Sequence, residues 1–206
     1  MKNKVYLVAV ALLSFSCNNG GQQKASKNKF SEYHLAIPKK WTTERIPFPI
    51  EFAPQIAYKG FEDLRFPPGW QYTTSEEHWS YAFLWWLNGK PKIDAETLQK
   101  NLLTYYTGLI RTNIDEKKIS KEKLTLVKVT IQNVQAEKGD METYNGIISI
   151  PYYLDLNYKA INLNCFIHKK DCNTHTAILF EISPHPIGDA IWKQLNKIEE
   201  DFDCRN

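Results

Sequence analysis

Ala160-Ile161-Asn162-Leu163-Asn164-Cys165-Phe166-Ile167-His168 and His175-Thr176-Ala177-Ile178-Leu179-Phe180-Glu181-Ile182-Ser183 are the two stretches that decide the fold. In the first, Ile161, Leu163, Cys165 and Ile167 recur at every second position, the period of a half-buried strand. The second is apolar over most of its length and reads as a more deeply buried strand. A polar segment, Lys169-Lys170-Asp171-Cys172-Asn173, separates them as a turn. Aligning apolar with apolar sets Ile161 opposite Ile182, Leu163 opposite Phe180 and Cys165 opposite Ile178. The same register sets Asn162 opposite Glu181, Phe166 opposite Ala177 and His168 opposite His175.

Two more strand-like segments, 124–134 and 143–153, precede this hairpin. Val127, Val129 and Ile131 can face Ile150, Ile148 and Gly146. Lys128, Thr130 and Gln132 then share the other face with Ser149, Ile147 and Asn145. One face of this four-strand meander is core, and the other is mixed-polar and shallow, a surface on which a ligand can lie. Upstream, Trp79 to Leu87 is apolar on both faces and predicts a central strand, ended by Asn88-Gly89. Asp94 caps a helix carrying Leu98, Leu102, Tyr105, Leu109 and Ile110, with Asn113 as its stop. Asp189 caps a final helix with Ile191, Leu195, Ile198 and Phe202 on one stripe. Ile46, Phe48, Ile50 and Phe52 alternate around Pro47 and Pro49, which places them on an edge strand or extended arm. The chain is therefore expected to be an α+β sandwich, a single domain over 30–206 built on a mostly antiparallel sheet. This order of elements resembles the PsbP-like sandwich; the resemblance covers element order and carries no functional residues with it.

The N-terminus is read separately. Lys2 and Lys4 precede an apolar run from Val5 to Phe15, and Ser16 puts a small residue before Cys17. A positive end, a short apolar stretch and a small residue describe a secretory signal rather than a span. The segment Leu12-Leu13-Ser14-Phe15-Ser16-Cys17 resembles the lipobox of bacterial lipoproteins, which implies cleavage after residue 16 and a lipid on Cys17. Residues 17–29, the lipidated cysteine followed by a stretch rich in Asn, Gln, Gly and Lys, form a flexible tether. The expected place is the bacterial cell envelope, periplasmic or surface-facing, with a membrane reached through the lipid. The formal charge of +3 falls to +1 when Lys2 and Lys4 leave with the signal. A near-neutral domain has no electrostatic footprint for nucleic acid.

Four cysteines are present. With Cys17 lipidated, Cys165 reads as a core residue by its alternation. Cys172 lies beside the turn and Cys204 just past the final helix, which runs back toward that turn. A Cys172–Cys204 disulfide is expected, pinning the helix in a compartment that permits disulfides.

Candidate chemistry falls in three places. His168 and His175, if opposed, put two imidazoles within reach of one Zn²⁺. Glu76, Glu77 and His78 gather two carboxylates and an imidazole before the central strand. Phe66-Pro67-Pro68-Gly69-Trp70 presents an aromatic on a rigid turn, and Trp70, Tyr72 and Trp86, with Trp41, offer rings to a sugar or apolar ligand. The sequence has no Gly-x-Ser-x-Gly, His-Glu-x-x-His or Gly-rich phosphate loop; Ser120 and Lys123 fit Ser-x-x-Lys only within a charged loop. The expectation is a non-catalytic envelope binding or accessory module for a protein partner or small ligand, with no cofactor. The competing expectation is a metal-assisted hydrolase using His168 and His175.

Overall fold

The computed structural model describes residues 32–113, 126–152 and 160–205. The signal-like segment, Cys17, the tether and Ser120–Lys123 lie outside these residues. In chain order come β1 (Tyr33–His34), β2 (Thr42–Pro47), β3 (Gly60–Phe66), β4 (Tyr81–Asn88) and α1 (Ala95–Asn113). They are followed by β5 (Lys128–Val134), β6 (Glu142–Pro151), β7 (Ala160–Cys172), β8 (His175–Ser183), α2 (Ala190–Glu200) and β9 (Asp203–Cys204). Among the described residues, one antiparallel sheet runs in the order β2-β3-β4-β8-β7-β6-β5, and β1 pairs with β9 separately. This is the expected α+β fold.

Strand alternation divides the molecule into two cores. Tyr81, Phe83, Trp85 and Leu87 of β4 pack on one side with Leu98, Leu102, Tyr105, Tyr106 and Ile110 of α1. Ala82, Leu84 and Trp86 pack on the other with Ile191, Trp192, Leu195 and Ile198 of α2. A sheet covered on both faces explains why Trp79–Leu87 reads as a continuous apolar run. Asp94 does cap α1: its Oδ1 accepts from Thr97 N at 2.9 Å and from Thr97 Oγ1 at 2.7 Å. Asp189 sits at the N-cap of α2, but its side chain makes no capping hydrogen bond.

The arm around Pro47 is an edge, since β2 borders the sheet, although the strand ends at Pro47 and the chain then turns. The β5–β6 register is the expected one, with Val129 opposite Ile148 and Ile131 opposite Gly146. The β7–β8 register is not. β7 continues to Cys172, which pairs with His175, so His168 lies opposite Leu179 and Cys165 opposite Ile182. The polar Lys169-Lys170-Asp171 run is strand rather than turn, because each charge has a partner: Lys169 with Glu142, Lys170 with Glu199 and Asp171 with Lys90.

Cys172 and Cys204 are bonded across a Cα separation of 5.4 Å, and Cys165 is a buried free thiol. The disulfide joins the end of β7 to β9 just beyond α2. Beside it, Tyr33 of β1 donates to Asp63 of β3 at 2.5 Å, and Arg65 binds the same carboxylate at 2.6 Å. Burial pushes the Asp63 carboxyl up, but its bonds to Arg65, Tyr33 and Arg45 outweigh this and hold it below the usual range.

Candidate functional site

α2 covers only part of its face of the sheet. Toward β5 that face stays open and forms a groove of about 630 Å³. Its floor is Lys128, Thr130 and Gln132 from β5, Ile147 and Ser149 from β6, and Asn162, Asn164 and Phe166 from β7. These are the outward-facing positions of three adjacent strands, alternating with the core residues Ile131, Ile148 and Leu163. Hydroxyls and amides dominate, and Lys128 is the single charge. Gln132 Nε2 donates to Asn145 Oδ1 at 2.9 Å, which orders two of the amides. Ile187 overhangs the groove from the loop before α2, and both it and Ile147 are exposed. That loop is fixed: Asn164 Nδ2 and Trp192 Nε1 both donate to His185 O, at 3.0 and 3.1 Å.

Phe166 and Ile187 also line a second cavity of about 340 Å³, which reaches under α2 and has a different character. It is walled by His168, Glu181, Glu137, Glu199 and Trp192. His168 is 3% exposed, and its Nδ1 lies 2.8 Å from Asp140 Oδ2. Its Nε2 has no hydrogen-bond partner, with Glu181 Oε2 the near neighbour at 3.9 Å. Lys170 Nζ binds Glu199 Oε1 at 2.6 Å and sits 3.4 Å from Asp140 Oδ1. Burial pushes the imidazole down, but the carboxylates of Asp140 and Glu181 outweigh it and raise its pKa to about 10. Burial pushes the Glu181 carboxyl up against the pull of His168.

The structure separates several residues that the sequence groups. His175 pairs with Cys172, four residues along β7 from His168 and so about 13 Å away. The ring of His175 stacks on Trp86 at 4.7 Å, and its Nε2 lies 3.6 Å from Glu32. In this register the two imidazoles do not face one another, so the expected His168/His175 pair does not form. The proposed aromatic surface does not assemble either. Trp70 is buried with Phe66 in the α1-side core, Trp86 and Trp41 are buried in the α2-side core, and Tyr72 is exposed away from both. Large rings here cover the sheet, as their apolar area favours. Glu76 is exposed in a turn, and Glu77 accepts from Gly69 N at 2.7 Å, bracing that turn. His78 rests edge-on against Tyr152 at 5.5 Å, and burial pushes its pKa down.

What the sequence reading missed is the set around His168: Glu137, Asp140, Lys170, Glu181 and Glu199. One signal was visible. Glu181 interrupts an otherwise apolar strand, and a charge there demands a partner.

No protein-family model matches this sequence, and no curated protein matches it at a significant level. Among solved structures, the chain is similar to LpqN, described as involved in cell envelope biogenesis of Mycobacterium tuberculosis. The identity is 12%, the match covers 83% of this chain and 79% of that one, and the TM-score is 0.29. A likeness of that depth assigns neither site nor activity here.

Proposed function

We propose that this chain is a bacterial envelope protein, held to a membrane by lipid on Cys17, whose domain binds an uncharged glycan in the β5–β6–β7 groove. One observation carries the binding reading: six neutral hydrogen-bonding side chains (Thr130, Gln132, Asn145, Ser149, Asn162 and Asn164) line a groove together with the apolar Ile147 and Phe166 of its floor and the overhanging Ile187. Amides and hydroxyls both donate and accept, which suits sugar hydroxyls better than ions. The apolar side chains suit the C–H face of a pyranose, and a fixed loop limits the ordering cost of binding. The envelope reading rests on the residues from Lys2 to Cys17.

A panel of neutral oligosaccharides, screened by array and confirmed by calorimetry, tests this. A hit should bind with micromolar affinity, and Asn145→Ala with Asn162→Ala should weaken it at least tenfold, about 0.5–1.5 kcal/mol for each lost hydrogen bond. A panel without a hit, or a hit indifferent to both changes, rejects the groove as a glycan site.

A further inference from the structure

His168 is built like a histidine prepared for a metal. Metal-bound imidazoles commonly donate one ring N–H to a carboxylate, which fixes the tautomer and aims the other nitrogen at the ion. Here Nδ1 is committed to Asp140 at 2.8 Å, and Asp140 does not line the cavity, whereas His168 does. Nε2, buried, has no hydrogen-bond partner among the described residues, and neither does Glu181 Oε1. Leaving both unpaired in a polar cavity is costly unless something else occupies the space between them.

The donors around that space are of the right kind. Glu137, His168 and Glu199 each bring one ligand atom within 4.8 Å of the others. Donors on one tetrahedral Zn²⁺ stand roughly 3.3 Å apart at bond lengths of about 2.0–2.1 Å, so the set closes when Glu199, whose Oε1 lies 4.0 Å from Nδ1, turns toward Nε2. Glu137 leads into β6 from an exposed turn and Glu199 lies in the last turn of α2, so both can make that move without disturbing the sheet. The charge balance also favours a cation. Four carboxylates (Glu137, Glu181, Glu199 and Glu200) line the cavity and Asp140 stands behind His168, against two lysines, Lys170 and Lys193. Lys170 holds Glu199 and keeps its carboxylate in place.

We propose that this cavity is a site for a divalent transition-metal ion of the Zn²⁺ type, with Glu137, Glu199 and His168 Nε2 as its protein ligands, the ion displacing the Nε2 proton to solvent. Glu181, beside Nε2, adds negative charge to the site. Three protein ligands leave the fourth position open toward the cavity mouth, the arrangement of sites that also take water or an incoming ligand. The N/O donor set with one imidazole selects Zn²⁺ over Ca²⁺ or Mg²⁺, which prefer all-oxygen shells.

The test is calorimetric titration of the untagged protein with ZnCl₂, read beside the metal content after dialysis. The parent should take up one Zn²⁺ per chain. Glu137→Gln should weaken that binding at least tenfold while the metal-free melting temperature stays unchanged, because Glu137 is exposed. His168→Gln should abolish it, and if that variant does not fold, Glu137→Gln and Glu199→Gln decide alone. A parent that binds no zinc, or variants that bind it as the parent does, overturns the proposal.

Discussion

Glu62 enters the α1-side core from β3 as a carboxyl among aromatic rings. Its Oε1 accepts from Trp85 Nε1 at 3.1 Å, and Tyr105 donates to Oε2 at 3.3 Å. Burial pushes its pKa from about 4.5 to about 8, outweighing both hydrogen bonds. Between those values the folded chain holds a proton that the unfolded chain has released. Stability from this group therefore falls as pH rises from about 4.5 to 8, at up to about 1.4 kcal/mol per unit. Glu62→Gln keeps an acceptor for Trp85, turns the bond to Tyr105 round so that the amide N–H donates to the phenol oxygen, and should flatten that slope. Urea melts at pH 5 and pH 8 measure it, and equal pH dependence in parent and variant would exonerate Glu62. The sequence hid this strand. In Gly60-Phe61-Glu62-Asp63-Leu64-Arg65-Phe66 the three charges look solvated, yet each is buried. Their partners stand far off in sequence, Tyr105 at 43 residues from Glu62 and Tyr33 at 30 from Asp63. No local pattern reveals such a pairing. His168 was visible for the same reason that Glu62 was not: it closes an alternating apolar run, where a polar side chain stands out.

Among the elements, the contrast between the two hairpins is instructive. The β5–β6 register was legible because Val127, Val129 and Ile131 alternate with Lys128, Thr130 and Gln132. For β7–β8 the alternation fades at Lys169, and the paired lysines resemble a turn. Only the ion partners contributed by Glu142 and Glu199 show that the strand goes on. The disulfide was legible despite that slip, because it depends on where the ends of β7 and α2 lie rather than on residue pairing. It closes a loop of 32 residues, and by loop closure should contribute about 3.7 kcal/mol. Cys172→Ser with Cys204→Ser should lower the melting temperature by roughly 7–15 °C. A melting temperature within a degree or two of the parent would mean that α2 and β1 hold β9 without it.

At the scale of the molecule, one sheet serves two cores, and the groove and the ionic cavity share the face that α2 leaves partly open. That division was legible as the core and mixed-polar faces of the meander. Which aromatic rings lay buried was not, since Trp70 and Trp86 sit near strand ends where sequence does not tell covered from open. The proposed membrane attachment belongs to the chain as a whole. Cys17→Ser should move the protein from the membrane fraction to the soluble fraction, and a variant that still sediments with membranes would show that lipid on Cys17 is not the anchor.

The pairing of β1 with β9 gives that attachment a mechanical side. Tyr33 pairs with Cys204, which is bonded to Cys172 at the end of β7. With the chain held at Cys17 as proposed, a pull would reach β1 first and pass through this short ladder and the disulfide into the large sheet. Arg65, gripping the carbonyls of Leu35 and Ala36 from β3, carries part of the same load. Such a pull would be shared between covalent and hydrogen-bonded links at the β1–β9 edge of the domain, away from the groove on β5, β6 and the outer part of β7.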